Sequence, residues 1–134
     1  MGDGRLARIA VQRDPIDLPN SPGSQTQPDS IDAKDMTFDE YQSEASTTAL
    51  YPRRMENLEY PTLGLTGEAG EVANIVKKIQ RDHGGVITDE VRGKLKDELG
   101  DVLWYISACA DELGLTLSEI AEFNVGKLAK RHGK

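Results

Sequence analysis

Glu68 and Glu71, three residues apart, and Glu98 and Asp101, again three apart, are the side chains of this 134-residue chain whose type and spacing point to chemistry. Residues three apart on a helix are surface neighbours, so each pair can direct two carboxylates at one point. Four ionised carboxylates beside an apolar seam would raise one another's pKa and oppose packing unless a cation sat among them. Magnesium is the natural occupant, because it takes oxygen ligands and keeps waters and phosphate oxygens in its remaining positions; manganese is the expected substitute. Dinuclear iron is disfavoured. Helical di-iron sites use Glu-x-x-His pairs, whereas His83 falls in a glycine-rich break and His132 at the C-terminal end.

The elements that must carry these residues are helical. At about 100° per residue, Leu65, Ala69, Val72, Val76 and Ile79 form one apolar stripe, with Glu68 and Glu71 on its flank. Val91, Leu95, Leu99, Val102, Ile106 and Leu113 form a second stripe, with Glu98 and Asp101 at nearly the same offset. Packing the two stripes together brings all four carboxylates to one seam. Either pair alone would read as an ordinary solvated helix face; the matching offsets favour a cation site.

Local signals set the boundaries. Thr37-Phe-Asp-Glu40 is a capping box that opens a first helix running to about Ala49, and Tyr51-Pro52 ends it. Pro61 sits in the first turn of a second helix that runs to Ile79 or Gln80, and Gly84-Gly85 breaks the chain. A third helix spans Thr88 to Leu113, with Gly114 as a left-handed cap, and Thr116-Leu-Ser-Glu119 launches a fourth to about Arg131. No stretch alternates with period two, so the body is expected to be all-α, four antiparallel helices with short connections. Leu103, Trp104 and Ala108 widen the third stripe beyond what one helical hairpin covers, which predicts a homodimer or homotetramer whose copies complete a four-helix bundle.

Residues 1–35 differ in kind. They contain no aromatic residue and hold Pro15, Pro19, Pro22 and Pro28, four of the chain's 6 prolines. Such a composition cannot offset chain entropy by burial and is expected to be a disordered tail before a domain at 36–134. The tail lacks the hydrophobic segment of a secretory signal, and Met36 is a candidate natural start. The whole chain carries 23 acidic and 16 basic side chains, a net charge of -7, which disfavours bulk nucleic-acid binding. Asp3, Asp14, Asp17, Asp29, Asp32 and Asp35 are largely offset by Arg5, Arg8, Arg13 and Lys34, so most of the acidic excess belongs to the helical body. No apolar run approaches the roughly 20 residues of a membrane span. Cys109, the single cysteine, allows neither an intrachain disulfide nor a Cys-based zinc site, as suits a reducing, cytoplasmic setting.

Gly67-Glu-Ala-Gly-Glu-Val72 followed by Lys96-Asp-Glu-Leu-Gly-Asp-Val-Leu-Trp-Tyr105 resembles the Glu-x-x-Glu, Glu-x-x-Asp signature of MazG-type nucleoside triphosphate pyrophosphohydrolases. The resemblance extends to Phe38-Asp-Glu-Tyr-Gln42 and Asn124-Val-Gly-Lys-Leu-Ala-Lys-Arg131. It implies an all-α dimer or dimer of dimers that needs magnesium and cleaves a nucleoside triphosphate between its α and β phosphorus. The products would be a monophosphate and pyrophosphate, a housecleaning reaction on the nucleotide pool. Glu68, Glu71, Glu98 and Asp101 would then be the metal ligands, with Glu68 or Glu71 positioning or deprotonating water. Asn124 and Lys127 match residues that face the nucleotide in that family, and Lys78 is a further phosphate candidate. Gln42, polar on an amphipathic helix, is a candidate base contact. The alternatives are a phosphoribosyl-ATP pyrophosphohydrolase-like enzyme and a non-catalytic helical dimerisation module.

Overall fold

In the computed structural model, residues 35–133 are described; the expected tail, apart from Asp35, lies outside them. Four helices and no strand occur among the described residues: α1 (Phe38–Ser46), α2 (Glu59–Asp82), α3 (Asp89–Glu112) and α4 (Leu117–Arg131). The all-α expectation holds. Both capping boxes form: Thr37 Oγ1 accepts from Glu40 N at 3.1 Å and Thr116 Oγ1 from Glu119 N at 3.0 Å, and each glutamate returns to the threonine's own N–H. Gly114, at φ 66°, closes α3 as expected, with Leu115 N donating to Ala110 O at 2.9 Å and Gly114 N to Asp111 O at 3.1 Å.

α2 and α3 are 24 residues each and pair as an antiparallel hairpin, the dominant packing of the chain. Their partners run in opposite order: Thr62 meets Cys109, Gly64 meets Tyr105, and Ile79 and Val91 line one cleft near the turn. The turn uses Gly84 and Gly85 at φ 58° and 81°, a left-handed backbone that a side chain would strain. α1 packs across α3 and α4.

The first helix stops at Ser46, short of the expected Ala49. Ser46, Thr47 and Thr48 each donate a hydroxyl to the carbonyl three residues back, at 2.9, 2.7 and 2.8 Å, and so compete with helix continuation. The chain then returns to α3: Ala49 and Tyr51 bury against Ala108, with Trp104 packed on the same cluster. Part of the surplus apolar surface of α3 is therefore covered within the chain. Leu99, expected in the seam, is instead 54% exposed.

The α1–α2 connection is held by one carboxylate. Glu112 accepts from the Tyr51 hydroxyl at 2.6 Å, from Met55 N at 2.9 Å and from Asn57 N at 3.0 Å. These bonds fix a loop in which Arg53 and Met55 adopt left-handed backbone at φ 53° and 74°, a conformation costly for residues with side chains. Asn57 Oδ1 accepts from Tyr60 N at 3.1 Å and starts α2. No helix among the described residues is long and apolar enough to cross a membrane.

Candidate metal centre

Glu68 stands midway along α2, and Glu98 and Asp101 stand on the facing stretch of α3. One carboxylate oxygen from each lies within 4.8 Å of the others. Glu68 and Glu98 are half-buried and Asp101 is exposed, so the cluster sits at the rim of the hairpin seam. Burial raises the Glu98 carboxyl above the usual glutamate value; the charge of Glu68, a hydrogen bond between the two carboxyls, and the charges of Asp101 and Glu71 push it the same way. None of the ion pairs seen among the described residues, Arg54–Asp111, Arg81–Asp82 and Lys94–Glu90, supplies a cation there.

Three of the four expected carboxylates therefore converge. Glu71 is exposed and falls outside the 4.8 Å group, reaching Glu98 only as a charge through space. An all-oxygen set with excess negative charge fits a hard divalent cation. Glu68, Glu98 and Asp101 are the residues that would hold it.

Two tyrosines border the cluster. Tyr105, one turn beyond Asp101, has its phenol raised by burial, then by Tyr60, Glu68 and Asp101; Tyr41 of α1 is raised by burial and by Asp101. Both are held in the neutral form that can donate a hydrogen bond. The spacing of four between Asp101 and Tyr105 puts both on one helix face.

The other candidates sit elsewhere. Lys78 lies seven residues past Glu71, about 10.5 Å along the helix, in a cleft of ≈ 200 Å³ with Asp82, His83 and Lys94 near the Gly84–Gly85 turn. Asn124 and Lys127 are exposed on α4, whose packing partner is α1, and neither lines the cleft beside the carboxylates. Gln42 has its amide engaged on both sides. Nε2 donates to Asp111 Oδ1 at 2.7 Å and to Leu115 O at 3.0 Å, while Oε1 accepts from Leu117 N at 2.8 Å. It fastens α1 to the α3–α4 turn, and a base contact would require breaking that set.

The sequence profile of the MazG nucleotide pyrophosphohydrolase domain matches residues 57–134, a span that contains every carboxylate of the cluster. The chain belongs to the MazG family. Its MazG domain covers α2, α3 and α4, whereas α1 and Gln42 precede the matched span. The "Gene 37 protein" of Mycobacterium phage L5 is 50% identical over 101 residues, covering 72% of this chain and 89% of the phage protein. No solved structure matches. Membership in the MazG family makes a nucleotide pyrophosphohydrolase the coarse assignment, and the carboxylate cluster lies within the matched span.

Proposed function

We propose that the protein is a magnesium-dependent nucleoside triphosphate pyrophosphohydrolase that releases a nucleoside monophosphate and pyrophosphate from free nucleotides. The observation that carries this reading is the meeting of Glu68 with Glu98 and Asp101 across the hairpin, with no ion pair to them from a cation among the described residues, in a chain of the MazG family. An acidic protein and a polyanionic substrate are compatible when a divalent ion lies between them. Once bound, that ion supplies Lewis-acid polarisation of the α-phosphate and a more acidic water.

The chain's own residues divide the remaining work. Glu68, Glu98 and Asp101 hold the ion at the rim of the hairpin seam. Glu71, one turn past Glu68 and outside the ligand group, is the better placed of the two candidates to orient water and take its proton. Tyr105, with no hydrogen-bond partner among the described residues, is free to donate to a phosphate oxygen.

The working unit in this reading is a homo-oligomer. Leu63, Phe123 and Val125 remain 72%, 76% and 65% exposed, the first on α2 and the other two on α4. A second copy is the expected cover, and it offers a route by which Asn124 and Lys127 reach a nucleotide held on another subunit's hairpin. A monomer in sedimentation at micromolar concentration would contradict the assembly.

Product analysis tests the reaction. With magnesium, a triphosphate should give monophosphate and pyrophosphate, and labelled water should leave its oxygen on one of the two. Manganese should substitute. Asp101→Asn that folds and retains full turnover would sink the assignment.

A further inference from the structure

Beside the carboxylates, Thr48, Trp104 and Tyr105 join Glu68 and Asp101 in lining a cleft of ≈ 310 Å³. That volume lies at the lower end of the roughly 300–1,000 Å³ of small-molecule sites. Two of the five lining side chains belong to the carboxylate cluster, so the cleft opens directly onto it. A ligand whose phosphates are held at the cluster would extend its other end along α3 toward Trp104, three residues and about 4.5 Å of helix beyond Asp101.

Thr48 and Trp104 have their polar atoms already committed within this wall. The single indole donor, Trp104 Nε1, gives its hydrogen to Thr48 Oγ1 at 2.8 Å, and Thr48 Oγ1 gives its own to Ala45 O at 2.8 Å. The ring is braced by Tyr105, edge-on with centroids 4.9 Å apart at 83°, and by the Ala49, Tyr51 and Ala108 cluster behind it. Trp104 thus offers the cleft a fixed aromatic surface and no free hydrogen-bond donor.

We propose that Trp104, pinned by Thr48, is the platform on which the substrate's nucleobase stacks, and that it contacts the base's face without reading its hydrogen-bonding edge. The proposal rests on the nucleotide-hydrolase reading. Stacking is available to every base because each has a π-face, so this wall discriminates weakly among them.

Trp104 is the chain's single tryptophan, so its emission reports on this cleft alone. The full-length chain with magnesium is titrated with α,β-imido triphosphates of four bases, alongside turnover of the ordinary triphosphates. Saturable change of emission with every base, with midpoints inside about a tenfold range, is the expected result. Trp104→Ala should raise KM by at least about fivefold with a smaller change in kcat, and Trp104→Phe, which keeps an aromatic face, should raise it less. Thr48→Val, which releases the indole, should raise KM while leaving the metal-induced rise in melting temperature intact.

Several results would overturn the proposal. Turnover with unchanged emission, or a folded Trp104→Ala protein with wild-type KM, removes the platform and leaves the hydrolase reading standing. A preference above a hundredfold for one base removes face-only recognition. Emission change without hydrolysis retains the platform as a nucleotide surface and overturns the hydrolase reading.

Discussion

Gly64 of α2 lies directly under the ring of Tyr105 of α3: a Cβ built on the glycine would collide with Cε1, Cζ and Cδ1 of that ring. The absent side chain is what lets the two helices approach at this level and leaves Tyr105 beside the carboxylates. Gly64→Ala gains about 0.8–1 kcal/mol of helix propensity but forces the ring to move, an overpacking cost of about 1–3 kcal/mol. The expected outcome is a lower melting temperature and loss of turnover larger than the stability change accounts for, read by thermal unfolding and pyrophosphate release. Gly67 is the control. It has nothing within 4 Å of a built Cβ, so Gly67→Ala should stabilise the chain by about 0.8–1 kcal/mol.

Ion binding should be visible in stability. A ligand that binds only the folded chain at a hundred times its Kd adds about 2.7 kcal/mol, and magnesium should raise the melting temperature of the full chain accordingly. Glu98→Gln should abolish that rise. In a chelator it should also melt no lower than wild type, because the substitution removes one of several mutually repelling carboxylates. A variant that still gained stability from magnesium would place the ion elsewhere.

The Glu112 clasp predicts a pH dependence. Burial alone would raise this carboxyl, but hydrogen bonds from Tyr51, Asn57 N and Met55 N, with the nearby Arg54, outweigh it and hold the group below the usual glutamate value. Tyr51 is pushed the other way, to about 12, by burial and by its bond to Glu112. A folded-state pKa below the unfolded one contributes stability above the unfolded value, about 4.3, and loses it as pH falls through the folded value. Wild type should therefore melt above Glu112→Gln at neutral pH, and the two should converge on acidification below about pH 4. Melting curves that stay parallel down to strong acid would contradict the clasp.

Gln42→Ala should cost stability rather than affinity. Three hydrogen bonds join its amide to Asp111, Leu115 and Leu117, and removing it leaves the part-buried Leu117 N–H without its partner, at about 1–3 kcal/mol. KM should stay near wild type while the unfolding midpoint in urea falls. The opposite pattern would return Gln42 to the nucleotide.

Local signals are the legible ones in this sequence. Thr37, Thr116 and Gly114 act on backbone groups within a few residues, and all three do what their types and positions foretold. The pairing of α2 with α3 was legible because both apolar stripes were long. The separation of Glu71 from its neighbours was not: positions three apart differ by about 60° around a helix, and which side chain reaches the seam depends on the tilt between the pair. Gln42 shows the same limit. A polar side chain on a half-apolar helix looks alike whether it meets a ligand or a turn 69 to 75 residues further along the chain, which is where its partners lie. Thr48 and Trp104, 56 residues apart, are joined only by the fold, and no spacing announces them.

The core is thin among the described residues: besides Pro61, its buried apolar side chains are Ala49, Tyr51, Ile79, Val91, Ala108, Ala110 and Leu117, and three of those seven are alanines. Leu63, Phe123 and Val125 stay exposed around it, and a cover over them would add much of the firmness that this core lacks. If that cover is a second copy, mass action makes dilution a denaturant. The amount of chain present then sets how much of it is folded, and activity per molecule rises with abundance.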